Sequence, residues 1–82
     1  MNKQPEDIKD LYRVHFRVVN DLEPENYVRR CRAGSAVEAV NQTIKHVALC
    51  NDQIDVICQI DLELINGIFI DIANTSRNEL NN

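Results

Sequence analysis

Ile54-Asp55-Val56-Ile57-Cys58-Gln59-Ile60-Asp61-Leu62-Glu63-Leu64-Ile65-Asn66-Gly67-Ile68-Phe69-Ile70-Asp71-Ile72 is the stretch that decides the fold. In its first limb Ile54, Val56, Cys58, Ile60, Leu62 and Leu64 are apolar, while Asp55, Gln59, Asp61 and Glu63 between them are polar. Ile57 is the exception. That period of two belongs to a half-buried strand. The second limb repeats it, with Ile68, Ile70 and Ile72 on one side and Phe69, Asp71 and Ala73 on the other. A two-residue type I′ loop at Asn66-Gly67 would pair Ile65 with Ile68. Glu63 would then face Ile70 and Asp61 would face Ile72, which mixes acidic and apolar side chains on both faces. A three-residue loop of Ile65, Asn66 and Gly67, with Gly67 left-handed, pairs Leu64 with Ile68, Leu62 with Ile70 and Ile60 with Ile72. All six then share one face, so the three-residue loop is the expected one.

Working outward, Leu11 to Val19 alternates in the same way. Tyr12, Val14, Phe16 and Val18 are expected to point inward, and Arg13, His15 and Arg17 outward. Asn20 to Asn26 is dense in turn-forming residues. Tyr27 to Ala33 reads as a second strand, with Tyr27, Cys31 and Ala33 inside, Val28, Arg30 and Arg32 outside, and Arg29 snorkelling at an edge. Ser35-Ala36-Val37-Glu38 matches a capping box, with Ser35 and Glu38 exchanging hydrogen bonds. It opens a helix whose expected buried stripe is Val37, Val40, Ile44 and Val47, with Ala36 and Ala48 beside it. Cys50-Asn51-Asp52 ends it.

These elements make the fold class α+β: a ββαββ chain forming a four-stranded antiparallel sheet of order 2-1-3-4, with one helix on one face. Residues 1–10 are expected to form a polar lead with one helical turn at Pro5–Ile8, residues 11–74 the single domain, and residues 75–82 a disordered polar tail.

Eighty-two residues suffice for one thin core, for which dimerisation is a common supplement. A net charge of −4 disfavours broad binding to nucleic acid or anionic membrane. Cys31, Cys50 and Cys58 are odd in number and irregular in spacing, which points to buried reduced thiols rather than a zinc site or disulfide framework. No apolar run approaches a membrane span and the N-terminus lacks a signal-peptide core, so a cytoplasmic location is expected.

The uncovered sheet face inherits every outward residue. Its basic half is Arg13, His15, Arg17, Arg30 and Arg32; its acidic half is Asp55, Asp61, Glu63 and Asp71, with Phe69 opposite Glu63. Cross-strand ion pairing is the bland reading of such a face, and a polarised recognition surface the functional one. Asp61 opposes Asp71, so Arg13 or Arg17 is expected to neutralise them more cheaply than a metal would. The arginines suit phosphate, but no outward aromatic interleaves with them for base stacking. His15 and His46 have no nucleophile or base partner, Cys50 sits at the wrong end of a helix dipole for activation, and no Gly-rich phosphate loop occurs. Neither catalysis nor a cofactor is expected.

Two strands, then Ala33-Gly34-Ser35-Ala36-Val37-Glu38-Ala39 opening a single helix, then a closing hairpin, resembles small phage and mobile-element accessory proteins, some anti-CRISPR proteins among them. The resemblance spans roughly residues 11–73 and is architectural. It implies a protein that binds and blocks a larger host protein or ribonucleoprotein complex in the host cytoplasm. The leading expectation is therefore a non-enzymatic protein-interaction module working through the open face or an edge strand. A nucleic-acid-binding module using the strand-one and strand-two arginines is the alternative, and a structural homodimer the third.

Overall fold

The computed structural model describes residues 9–20 and 25–75. In chain order its elements are β1 (Asp10–Val18), β2 (Tyr27–Ala33), α1 (Ala36–Leu49), β3 (Ile54–Ile65) and β4 (Ile68–Asn74). The four strands form one antiparallel sheet of order β2-β1-β3-β4 with the helix on one face, the α+β arrangement expected. Apart from Lys9, Asp10 and Thr75, the lead and tail lie outside the described residues, as does the turn at Pro5–Ile8.

Helix entry follows from residue chemistry. Ser35 is extended, and its hydroxyl accepts from the Glu38 N–H at 3.1 Å. The return bond from Glu38 reaches one residue further than a capping box requires, to the Gly34 N–H at 2.6 Å. Its other oxygen takes Lys9 Nζ at 2.9 Å. The bond from Lys9, then that from Gly34, hold the Glu38 carboxyl below its ordinary pKa. At the far end Cys50 donates back to Val47 O, and Asn51 adopts a left-handed φ of 61° that stops the helix.

The core gathers Tyr12, Val14 and Phe16 of β1, Cys31 and Ala33 of β2, Ala39 and Val47 of α1, and Ile60 of β3. The helix is rotated from its expected setting. Its buried line is Ala39, Thr43 and Val47, with Val40 packed at its side, whereas Val37 and Ile44 are exposed. Two anchors account for this. Small Ala39 lies over Cys31, whose thiol donates to the Ala39 carbonyl, and Gln42 Nε2 donates to the Arg32 carbonyl at 3.0 Å. Thr43 tolerates full burial because its hydroxyl bonds the Ala39 carbonyl at 2.9 Å. Arg29, expected to snorkel at an edge, is opposite Val14 and so lies on the helix side of edge strand β2. One of its guanidinium nitrogens is buried without a hydrogen bond among the described residues.

Bulges correct the alternation in the hairpin. The β1–β3 ladder steps from His15–Gln59 to Phe16–Ile57, and from Arg17–Val56 to Val18–Ile54. Cys58 and Asp55 are the extra residues, and each reverses the face of the strand residues beyond it. Ile57, the exception to the pattern, therefore packs on the core, while Val56 sits opposite outward-facing Arg17. Cys58 is half-buried and Cys50 exposed, so only Cys31 is the buried thiol expected.

The turn also differs from the three-residue loop. Ile65 faces Ile68, Gly67 has φ +79°, and Asn66 does not have positive φ, which rules out type I′. A bulge at Leu64 restores the preferred register beyond it: Glu63 faces Phe69, Leu62 faces Ile70 and Asp61 faces Asp71. A further bulge at Ile72 sets Ile60 against Ala73 instead of Ile72.

The helix does not reach across the sheet. It packs on β2 and β1, less on β3, and at most grazes β4. Its 14 residues span about 21 Å, against about 40 Å for the twelve residues of β3. The apolar face that defines the hairpin is consequently half bare: Leu64 is 58% exposed, Ile65 65% and Ile68 53%, with Ile70 and Ile72 also exposed.

Candidate interaction face

The face opposite the helix is organised around Asp61. Strand pairing sets Arg30, Arg13, Asp61 and Asp71 in one row across the sheet, with Val28, His15, Gln59 and Asn74 in the next. Asp61 is 2% exposed, although it lies on the uncovered face, because its neighbours close over it. Arg13 donates to Oδ2 through Nε at 3.1 Å, and its Nη2 forms an ion pair with the same oxygen at 3.0 Å. His15 Nε2 meets the same oxygen at 2.8 Å, and Gln59 Nε2 donates to Oδ1 at 2.6 Å. Burial works to raise the Asp61 pKa. The bonds from Gln59 and His15, with the charges of His15 and Arg13, more than offset it, and the carboxyl sits below its ordinary value. A carboxylate has no proton to give, so Nε2 of His15 carries the hydrogen.

Further contacts extend the network. Asn74 Nδ2 donates to Gln59 Oε1 at 2.8 Å and to Asp71 Oδ2 at 3.2 Å. The Arg13 guanidinium lies 3.8 Å from the centre of the Phe69 ring. Arg13 thus supplies the cation beside the Asp61–Asp71 apposition and His15 adds a hydrogen bond to Asp61; Arg17 does neither. Arg17 Nε instead donates to Asn26 Oδ1 at 3.0 Å, an oxygen that the Cys58 thiol also approaches at 3.6 Å. Around these residues, Val56, Gln59 and Asn74 border a polar depression.

The expected site residues therefore divide into two sets. Arg13, His15, Asp61 and Phe69 are brought together and satisfy one another. Arg30 and Arg32 are exposed on edge strand β2 and have no ion pair among the described residues. Asp71 is exposed on β4, and Glu63 is half-buried with Oε2 accepting from the Gly67 N–H at 2.8 Å. Asp55 is exposed and left unpaired by its bulge, away from the acidic group it was expected to join. Gln59, Asn74 and Asn26 were missing from the expected set. Alternation already put Gln59 on the Asp61 face, but Asn74 reaches it only through the bulge at Ile72.

Among the described residues no three His, Cys, Asp or Glu side chains are grouped to hold a metal, and no helix is long and apolar enough to cross a membrane. A shallow cleft at the helix C-terminus, lined by Phe16, Tyr27, His46 and Cys50, places His46 at the edge of the core. The chain matches no protein-family model, no curated protein and no solved structure.

Proposed function

We propose that the chain is a non-enzymatic protein-interaction module that engages a larger protein or ribonucleoprotein complex through its open sheet face. One observation carries the reading: the centre of that face is neutralised and held by the Asp61 network, while further charged side chains are exposed at its margins. Arg17, Arg30 and Arg32 line one side and Asp71 the other, all exposed. A face of this kind offers a partner an ordered polar platform, so little side-chain entropy is lost on docking. Opposite charge at its two sides favours one docking orientation over its reverse. The architectural resemblance to phage accessory proteins gives the reading its specific form, an inhibitor of a host complex.

Exposed Arg30 and Arg32 also favour nucleic acid as a second reading. Phe69 weighs against it, because its ring is already covered by Arg13 and is not free to stack on a base.

The test is affinity capture from host lysate with two sets of reversals at exposed positions, Arg17→Glu, Arg30→Glu and Arg32→Glu in one variant and Asp71→Lys in the other. Arg13 and Asp61 are left intact because they hold the sheet. Loss of one specific partner by the reversed, folded proteins is expected. Undiminished capture by both variants would overturn the reading. Binding to DNA or RNA at low salt that falls steeply with added salt would establish the nucleic-acid reading instead.

A further inference from the structure

We infer that two copies of this chain interlock through the bare helix-side face of the β3–β4 hairpin, a surface separate from the open face. The chain is two layers thick over β2 and β1, where the helix lies, and one layer thick over β4. The result is a step. Its floor is the apolar hairpin face, with Leu64, Ile68, Ile70 and Ile72 exposed. Its riser is the flank of the helix. Gln42 points that helix's opposite flank at the β2 backbone, so by helical periodicity Val37 and Ile44 look toward β3 and β4. Both are exposed, at 69% and 47%. The two apolar surfaces therefore meet at a re-entrant corner.

A second copy fits that corner. Helix-on-sheet layers and stacked sheets are both about 10 Å apart, so a partner hairpin laid on the floor comes level with the helix. Of the two-fold axes available, one parallel to the strands sets hairpin on hairpin. An axis along the sheet normal places the copies side by side and leaves the floor bare; an axis across the strands stacks helix on helix. With the axis parallel to the strands, each helix flank abuts the other copy's β4 edge and both steps are filled at once, as an isologous contact requires.

Area and edge chemistry agree. The exposed parts of Val37, Ile44, Leu64, Ile65, Ile68, Ile70 and Ile72 come to on the order of 600 Å². That reaches the top of the range for the largest apolar patch on a monomer and approaches the roughly 800 Å² per partner of a stable interface. The two sheet edges are also unlike. Edge strand β2 carries Arg29, Arg30 and Arg32, whereas β4 has neither a basic residue nor a proline to deter association.

Sedimentation velocity over a concentration series, on the full chain with no partner added, tests this. The wild type is expected to sediment as a dimer. Val37→Lys and Ile70→Lys, one on the riser and one on the floor, are each expected to shift it to monomer with an unchanged circular dichroism spectrum. Val37 is exposed enough that its substitution leaves the monomer fold intact. Leu49→Lys, on the opposite flank of the helix and 85% exposed, is expected to leave the dimer in place. A wild type that stays monomeric throughout, or a dimer that survives both Val37→Lys and Ile70→Lys, would overturn the inference. So would capture of a different protein on this surface by a chain that is monomeric alone.

Discussion

Replacing Asp61 with alanine should cost far more than an outward-facing strand residue ordinarily does. The Asp61 side chain is 3% exposed, and it receives donors from Arg13, His15 and Gln59. Removing one partner of a fully buried ion pair costs roughly 3–5 kcal/mol, because the other charge is stranded. Breaking an exposed pair costs about 1 kcal/mol or less. Here the acceptor is buried, but the cations keep water: the Arg13 and His15 side chains are 37% and 22% exposed. The expected loss lies between those limits, near 3 kcal/mol. Alanine also strands the Gln59 amide and removes the counter-charge that lets Arg13 sit opposite Arg30. For a domain of this size, total stability is of the order of 4–12 kcal/mol, so the variant loses a large share of it. Urea unfolding followed by circular dichroism, at one fixed protein concentration, should show the midpoint falling by about 3 M, taking a slope of about 1 kcal/mol per M. A loss below about 1 kcal/mol would refute the reasoning, since Asp61 would then behave as a surface carboxylate.

Three other outcomes rest on particular contacts. The folded Asp61 pKa is lowered, so its contribution is complete above the unfolded value of about 3.9 and is lost as pH falls through the folded value. The stability difference between wild type and Asp61→Asn should therefore shrink below about pH 4, as read by urea titrations across that range. Ile57→Ala should cost about 2 kcal/mol and Val56→Ala less than about 1, because the bulges turn Ile57 to the core and Val56 away from it; equal losses in thermal unfolding would contradict that phasing. Ser35→Ala removes the acceptor for the Glu38 N–H, costing about 1 kcal/mol and lowering Tm by about 5 °C.

Strand order, helix position and the placing of Arg13, His15 and Asp61 on one face were legible in the sequence because they follow from alternation and from one strongly specified hairpin. The bond between His15 and Asp61 was not, since His15 was expected to have no base partner. What alternation cannot supply is the count of residues between paired positions. Each bulge adds one residue to a strand, and Asp55, Cys58, Leu64 and Ile72 all do so. Only Ile57, an apolar residue at an outward position, signalled one of them. The helix setting was hidden for a different reason. Val37, Val40, Ile44 and Val47 and the line Ala39, Thr43 and Val47 are neighbouring stripes on one helix, and periodicity alone ranks the larger side chains first. Close approach to β2 favoured the smaller ones. Asp61 was legible as outward-facing, but its burial depends on three donors from two strands, a property of the assembled row rather than of the pattern.

The central claim is that the Asp61 network only holds the open face, while the exposed residues around it contact the partner. Titration calorimetry of the captured partner against wild type and Arg30→Glu/Arg32→Glu tests it most directly. At least a tenfold loss of affinity is expected, about 1.4 kcal/mol, with the sedimentation of the free chain unchanged and its thermal stability no lower, since Arg30→Glu places a carboxylate opposite Arg13. Equal affinity for the two proteins would contradict it.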